Sequence, residues 1–229
     1  MITITCGLFD AGPESKIRPP SRVYTPEWVD ILYRMVQRNL TIPFRFVCLT
    51  HYPQEAFKEH VVAVPFLEDI REVMCLTEAF RPDLEIERGM WFGLDTVIRG
   101  NIDDLASWDG DFALGRQPGP PDYDGTAMIW ANPICLYDGK AVAHLWENRA
   151  DAATDPWIVQ YSGAFGLAEQ FYWGRHYQGQ ISDYYTLFPG QIVSNRNWKP
   201  QMEDTRIVYF YGKEKPQNTN LPGVTEHWI

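Results

Sequence analysis

The chain has 229 residues, enough for one substantial core or at most two small domains. Hydrophobic residues make up 45% and charged ones 22%, ordinary for a globular protein, while aromatics reach 14% with nine Trp, which suits a well-packed core or stacking platforms for sugars or bases. With 20 Lys+Arg against 30 Asp+Glu the formal charge is −10, which speaks against holding nucleic acid through a broad basic surface.

Met1-Ile2-Thr3-Ile4-Thr5-Cys6 alternates like a strand, and a first strand is expected over Ile2–Leu8. This start lacks the charged opening and long apolar core of a signal peptide, and no apolar stretch approaches membrane-spanning length. Cys6, Cys48, Cys75 and Cys135 are widely spaced among apolar neighbours, without a Cys-x-x-Cys pair. They read as small buried hydrophobes in a reducing compartment, so a cytoplasmic protein with no membrane partner is expected.

A polar loop, Asp10 to Arg22, precedes Thr25-Pro26-Glu27, which has the chemistry of a helix start. Val29, Leu32, Tyr33, Val36 and Leu40 then recur at helical spacing. Phe44–Leu49 reads as a second strand, closing at Thr50-His51-Tyr52-Pro53, and Val61–Pro65 as a third. Ile70–Phe80 is expected to be helical. Strands alternating with helices imply an α/β domain with a mixed, mostly parallel central sheet.

Next comes Gly89–Leu105, the segment richest in chemistry. Met90, Trp91, Phe92 and Leu94 form an apolar run that reads as a buried strand ended by one carboxylate, Asp95. Thr96-Val97-Ile98 is expected to continue extended until Gly100, and Asn101–Leu105 to turn into another element. An acid at the carboxyl end of a central strand lies where open α/β sheets place ligands, and it can hold a divalent cation against phosphate oxygens. It reads equally as an Asp that starts a turn.

Beyond Asp111 the pattern is less regular. Phe112–Leu114 and Ala127–Trp130 read as short strands around a Gly/Pro/Asp-rich loop, Gln117–Gly125. Ala141–Asn148 and Phe165–Tyr172 suit helices, and Ile207–Tyr211 suits a late strand. His51, His60, His144, His176 and His227 show no metal-ligand spacing. The chain has no Gly-x-Ser-x-Gly, P-loop or Gly-x-Gly-x-x-Gly, so hydrolase, ATPase and dinucleotide readings lack support.

Gly93-Leu94-Asp95-Thr96-Val97-Ile98 followed by Gly100-Asn101-Ile102-Asp103-Asp104-Leu105 resembles the acid-bearing strand of GT-A-fold nucleotide-sugar glycosyltransferases, the glycogenin-like group and its bacterial and phage members. Further segments are similar in the same order: Tyr24–Val29 with Leu32–Val36, Pro43–Thr50, Phe80-Arg81-Pro82, Asp124–Met128, Ala168-Glu169-Gln170, Phe188–Ser194, Phe210–Pro216 and the ending His227-Trp228-Ile229. The resemblance implies one Rossmann-like domain over 1–229, with a nucleotide-binding half at 1–110 and an acceptor-side half at 111–229. It also implies transfer of a sugar from a nucleotide donor, a UDP-sugar first, to a hydroxyl acceptor, a saccharide rather than nucleic acid.

In that group two acids and a late His bind Mn²⁺ or Mg²⁺ against the diphosphate. Here Asp95 remains, but Gly93 replaces the first acid, Tyr211 the His, and Leu76 a lysine usual before the strand. The resemblance places the nucleoside base at Cys6, Gly7 and Tyr24. It places Glu169 and Gln170 facing the acceptor and the reacting carbon, where a carboxylate can act as a base; a helix-surface Glu is the plain alternative. Lys213 and Lys215 beside Gly212 can hold a diphosphate as point charges, or simply be a solvated turn. Asp124, with Asp122, can bind sugar hydroxyls or serve turn chemistry. Three departures at one site imply metal-independent chemistry, an altered donor or a lost activity. The competing readings are an inactive relative that binds a nucleotide sugar or partner protein, and a phage-type enzyme that glycosylates a DNA base.

Overall fold

The computed structural model describes residues 1–9, 24–67, 73–118, 128–159 and 168–229. Its strands are β1 (Ile2–Leu8), β2 (Phe44–Thr50), β3 (Val62–Pro65), β4 (Arg88–Phe92), β5 (Thr96–Ile98), β6 (Phe112–Pro118), β7 (Met128–Asp138), β8 (Ser182–Asp183), β9 (Ile192–Ser194) and β10 (Ile207–Tyr209). Seven of them form one sheet in the order β3-β2-β1-β4-β7-β6-β8, and β5-β10-β9 form a second. The neighbours β3–β2, β2–β1, β1–β4 and β6–β8 are parallel, whereas β7 runs antiparallel to β4 and β6. The expected mixed, mostly parallel sheet is therefore present.

Alternation along the central strands divides the core between two faces. Met90 and Phe92 of β4, with Ile134 and Leu136 of β7, pack with Ile4, Cys6, Phe46 and Cys48. That face is covered by helix α1 (Pro26–Asn39), through Val29, Leu32, Met35 and Val36, and by the small sheet, through Val97, Ile207 and Val208. Trp91, Cys135 and Tyr137 point the opposite way, against Phe80, Leu145 and Trp173. The short helix α2 (Asp103–Ala106) follows β5, and the helices on this second face are the 3₁₀ run Val73–Phe80, α3 (Gly139–Glu147) and α4 (Ala168–His176). All four cysteines are buried. Among the described residues, no helix is long and apolar enough to cross a membrane.

Several elements differ from expectation, each for a local reason. Thr25 is the N-cap of α1 with an extended backbone, but its side chain makes no capping hydrogen bond. The described part of Ile70–Phe80 is 3₁₀ rather than α-helical: Thr77, Glu78, Ala79 and Phe80 are all buried, leaving no solvent face for an amphipathic helix. Thr96–Ile98 does not prolong the Asp95 strand. A turn with Thr96 N–H donating to Gly93 C=O (3.1 Å) lifts the chain out of the large sheet, and β5 pairs with β10 instead. β7 is far longer than the expected Ala127–Trp130, because Asn132-Pro133 interrupts its pattern at a register shift against β6 without ending it. α3 starts earlier than expected, since Asp138 caps it by accepting from Lys140 N (3.0 Å) and Ala141 N (3.1 Å). α4 runs later than Phe165–Tyr172, of which 165–167 lie outside the described residues.

Candidate functional site

β4 ends at Phe92, on the carboxyl side of its parallel neighbour β1, and the turn that follows carries Asp95. Three backbone bonds fix this turn. Gly93 N donates to Pro133 O (2.8 Å), Thr96 N to Gly93 O (3.1 Å), and Phe210 N to Asp95 O (3.1 Å). The Asp95 carboxylate is thereby aimed at two residues distant in sequence. Its Oδ2 accepts from Tyr24 Oη at 2.9 Å and from Lys215 Nζ at 2.5 Å. Side-chain exposure is 7% for Lys215 and 15% for Asp95, so this is a largely desolvated ion pair. Tyr24 packs edge-on against Trp28 of α1, and the Lys215 ammonium lies 5.6 Å from its ring centroid. Burial first, and then the neighbouring Asp95 charge, push the Tyr24 phenol far above its usual pKa, so it stays a donor.

Lys215 is presented by a turn of its own. Gly212 has φ +80°, which favours glycine. Glu214 is held by Asn195 Nδ2 (2.8 Å) and Thr219 Oγ1 (2.5 Å), and Asn218 Oδ1 accepts the Lys215 amide (2.7 Å). Lys213 is exposed on the same segment, with no partner among the described residues. The two lysines are therefore unlike: one ammonium is committed to Asp95, and the other faces solvent.

A second cluster lies across Pro133. The shift in β7 places Asn132 beside the start of α4, where its Nδ2 donates to Glu169 Oε1 at 3.1 Å. Glu169 is 4% exposed, and its Oε2, like Gln170 Oε1, is buried without a hydrogen-bond partner among the described residues. Burial raises the Glu169 carboxyl to about 7, against the opposing pull of the Asn132 bond and of backbone N–H groups. Unfilled hydrogen-bond capacity on a buried carboxylate suits a polar ligand such as a sugar hydroxyl.

Of the residues singled out from the sequence, Tyr24, Asp95 and Lys215 meet directly, while Glu169 and Gln170 share the second cluster. Asp124 lies outside the described residues. Cys6 is fully buried and faces Cys48 across the β1–β2 register, so its thiol is part of the core and only its backbone can meet a ligand. Gly7 is required by packing: a Cβ there would lie 2.5 Å from Leu76 Cδ2 and 2.9 Å from Trp91 Cη2. Leu76 thus fills the space over Gly7. Asn132 was not among the sequence candidates. Its signal was an Asn-Pro step between two apolar runs, which marks an irregularity inside a strand.

Among the described residues, the donors near Asp95 do not fit a divalent cation. Gly93 supplies no ligand atom, although a Cβ there would lie 3.3 Å from Asp95 Oδ1, facing that carboxylate. Oδ2 is taken by two donors, and the Tyr211 phenol is 40% exposed under the Arg196 guanidinium, 4.1 Å above its ring. Among the described residues no group of three or more His, Cys, Asp or Glu can hold a metal ion.

No protein-family model matches the sequence, and no curated protein matches it. Solved structures do match. Over 97% of this chain and 91% of the other, the fold is similar to that of the galactosyltransferase LgtC in complex with donor and acceptor sugar analogs, at 11% identity and TM-score 0.63. An active-site Gln-to-Glu mutant of LgtC matches over 96% and 91%, at 8% identity and TM-score 0.67. The glycosyltransferase GlyE of Streptococcus pneumoniae matches over 99% of this chain but 59% of its own length, at 14% identity and TM-score 0.59. This chain has the GT-A fold, a single α/β domain around a largely parallel sheet.

Proposed function

We propose that this protein is a glycosyltransferase that moves a sugar, a hexose, from a nucleotide donor, a UDP-sugar first, to a saccharide hydroxyl, with weakened or no dependence on Mn²⁺ or Mg²⁺. One observation carries the reading. At the carboxyl end of β4, a carboxylate compensated by an ammonium and a buried carboxylate with an unfilled oxygen stand on either side of Pro133. Open α/β sheets bind ligands at such an edge.

In this reading the nucleoside lies against the backbone of Cys6 and Gly7 and beside Tyr24. Asp95 orients the donor, and Gly212 turns the chain so that Lys213 and Lys215 receive diphosphate oxygens. Charge developing on the leaving diphosphate is then met by fixed cations. Glu169 and Gln170 face the sugar and the acceptor. As the acceptor oxygen attacks the anomeric carbon, the bond from that carbon to the diphosphate oxygen breaks. The acceptor's proton passes to Glu169, whose raised pKa suits a base near neutrality. Asn132 holds Glu169 Oε1 and leaves Oε2 for that proton.

Calorimetric titration with UDP, GDP and their sugars, with and without Mn²⁺, tests the reading, alongside an assay for release of free UDP. Binding of one nucleotide sugar together with turnover supports it. Binding without turnover, unchanged in Glu169→Gln, points to the inactive relative. No binding to any nucleotide overturns the reading in favour of a partner-binding protein.

A further inference from the structure

Asp95 and Gly93 occupy the position where the fold family calls for a metal, yet the donor set there rejects one. We propose that the Lys215 ammonium is the built-in replacement for a divalent cation in this site. Asp95 and Tyr24 fix it in place, and it takes the diphosphate oxygens directly. The inference rests on the nucleotide-sugar reading above and names the group that makes that site independent of metal.

Charge balance is the first argument. Two carboxylates and a divalent ion sum to zero, and so do one carboxylate and one ammonium. A second acid at position 93 would face Asp95 Oδ1, since a Cβ there lies 3.3 Å from it, and would leave the pair with a net negative charge. Gly93 and Lys215 are thus complementary: the missing acid removes the charge that one ammonium cannot neutralise.

Occupancy is the second. To reach Asp95 Oδ2, a metal ion must displace both Lys215 Nζ at 2.5 Å and the Tyr24 hydroxyl at 2.9 Å. Displacement strands an ammonium whose side chain is only 7% exposed, and in return the ion gains one carboxylate where it needs several ligands.

Donor capacity is the third. An ammonium carries three protons, and Asp95 takes one. Asn218 holds the Lys215 amide rather than its Nζ, so the backbone is anchored while the head group keeps protons to give. With Tyr24 also donating to Asp95, the carboxylate acts as a bracket for the cation.

The test compares the wild type with Lys215→Gln, Lys215→Arg, Gly93→Asp and the double variant Gly93→Asp/Lys215→Gln. Two readouts are used: the Mn²⁺ electron paramagnetic resonance signal without nucleotide, and calorimetric UDP affinity in chelator. The wild type is expected to bind UDP equally with chelator and with Mn²⁺, and to leave the Mn²⁺ signal free. Lys215→Gln should lose about tenfold or more in UDP affinity in chelator, as for a lost charged hydrogen bond. Lys215→Arg should retain most of it. Only the double variant should take up Mn²⁺ and show Mn²⁺-dependent UDP binding.

Chelator-sensitive UDP binding by the wild type, Mn²⁺ uptake by the wild type, or full UDP affinity in Lys215→Gln would overturn the proposal. If Lys215→Gln does not fold, the wild-type titrations and Lys215→Arg still decide. If no form binds UDP under any condition, the nucleotide-sugar reading fails, and this inference falls with it by a route distinct from a chelator-sensitive result.

Discussion

Glu169 combines a buried carboxyl, one oxygen held by Asn132 and one oxygen without a partner, and its titration is open to measurement. Its folded-state value of about 7 stands above the ordinary 4.5, chiefly through burial. Below pH 4.5 the group is neutral in both the folded and the unfolded chain and contributes no penalty. Between 4.5 and 7 the unfolded chain releases its proton first, so folding stability declines as pH rises, by an amount on the order of 3 kcal/mol. Glu169→Gln should therefore flatten the stability profile across that window in urea titrations. Equal slopes in variant and wild type would refute the assignment. The Asp95 acid is legible in the sequence because an apolar run ends on it; Tyr24 and Lys215 are named there only through the resemblance, and their contact with Asp95 is not legible at all. Tyr24 and Lys215 stand 71 and 120 residues away, and only tertiary structure brings them to one oxygen.

The elements read most closely from the sequence are those with long apolar patterns. α1 repeats at period 3.6 over fourteen residues, while β1 and β2 are seven-residue, largely apolar runs buried on both faces, and all three fall close to the expected bounds. β8 and β9, with two and three residues, are too short to carry a period, and β7 hides its length behind Asn132-Pro133. Phe80-Arg81-Pro82 proves to be a clamp between elements. Arg81 Nη1 donates to Glu78 Oε2 (2.6 Å) and Pro65 O (3.1 Å), while Nε and Nη2 grip Asp83 at 3.1 and 2.9 Å. Glu78 in turn accepts the Leu67 amide, at 2.8 Å to Oε2, so the end of β3 is tied to the 3₁₀ run. Arg81→Met breaks an ion pair whose side chains are 3% and 1% exposed and should cost about 3–5 kcal/mol in chemical denaturation. A loss under about 1 kcal/mol, the range of exposed pairs, would show that the clamp is not a desolvated one.

Across the whole molecule, the two apolar clusters are the two faces of a single seven-stranded sheet. β4 and β7 send alternate side chains into each, so neither face can come apart while the other keeps its backing. Thermal or urea unfolding followed by tryptophan fluorescence and by far-ultraviolet circular dichroism should give coincident transitions. Separated midpoints would mean that the faces unfold as independent units. The ion pair at residue 95 has a further consequence that belongs to time rather than space. Its partners are 120 residues apart, so at roughly 5–20 residues per second a ribosome makes the acid about 6–24 s before its base. The last three strands of the large sheet, β6, β7 and β8, emerge in that interval, the other four before it, and the sheet edge can assemble around a carboxylate still without its counter-ion. The site becomes neutral only after every strand of both sheets has been made.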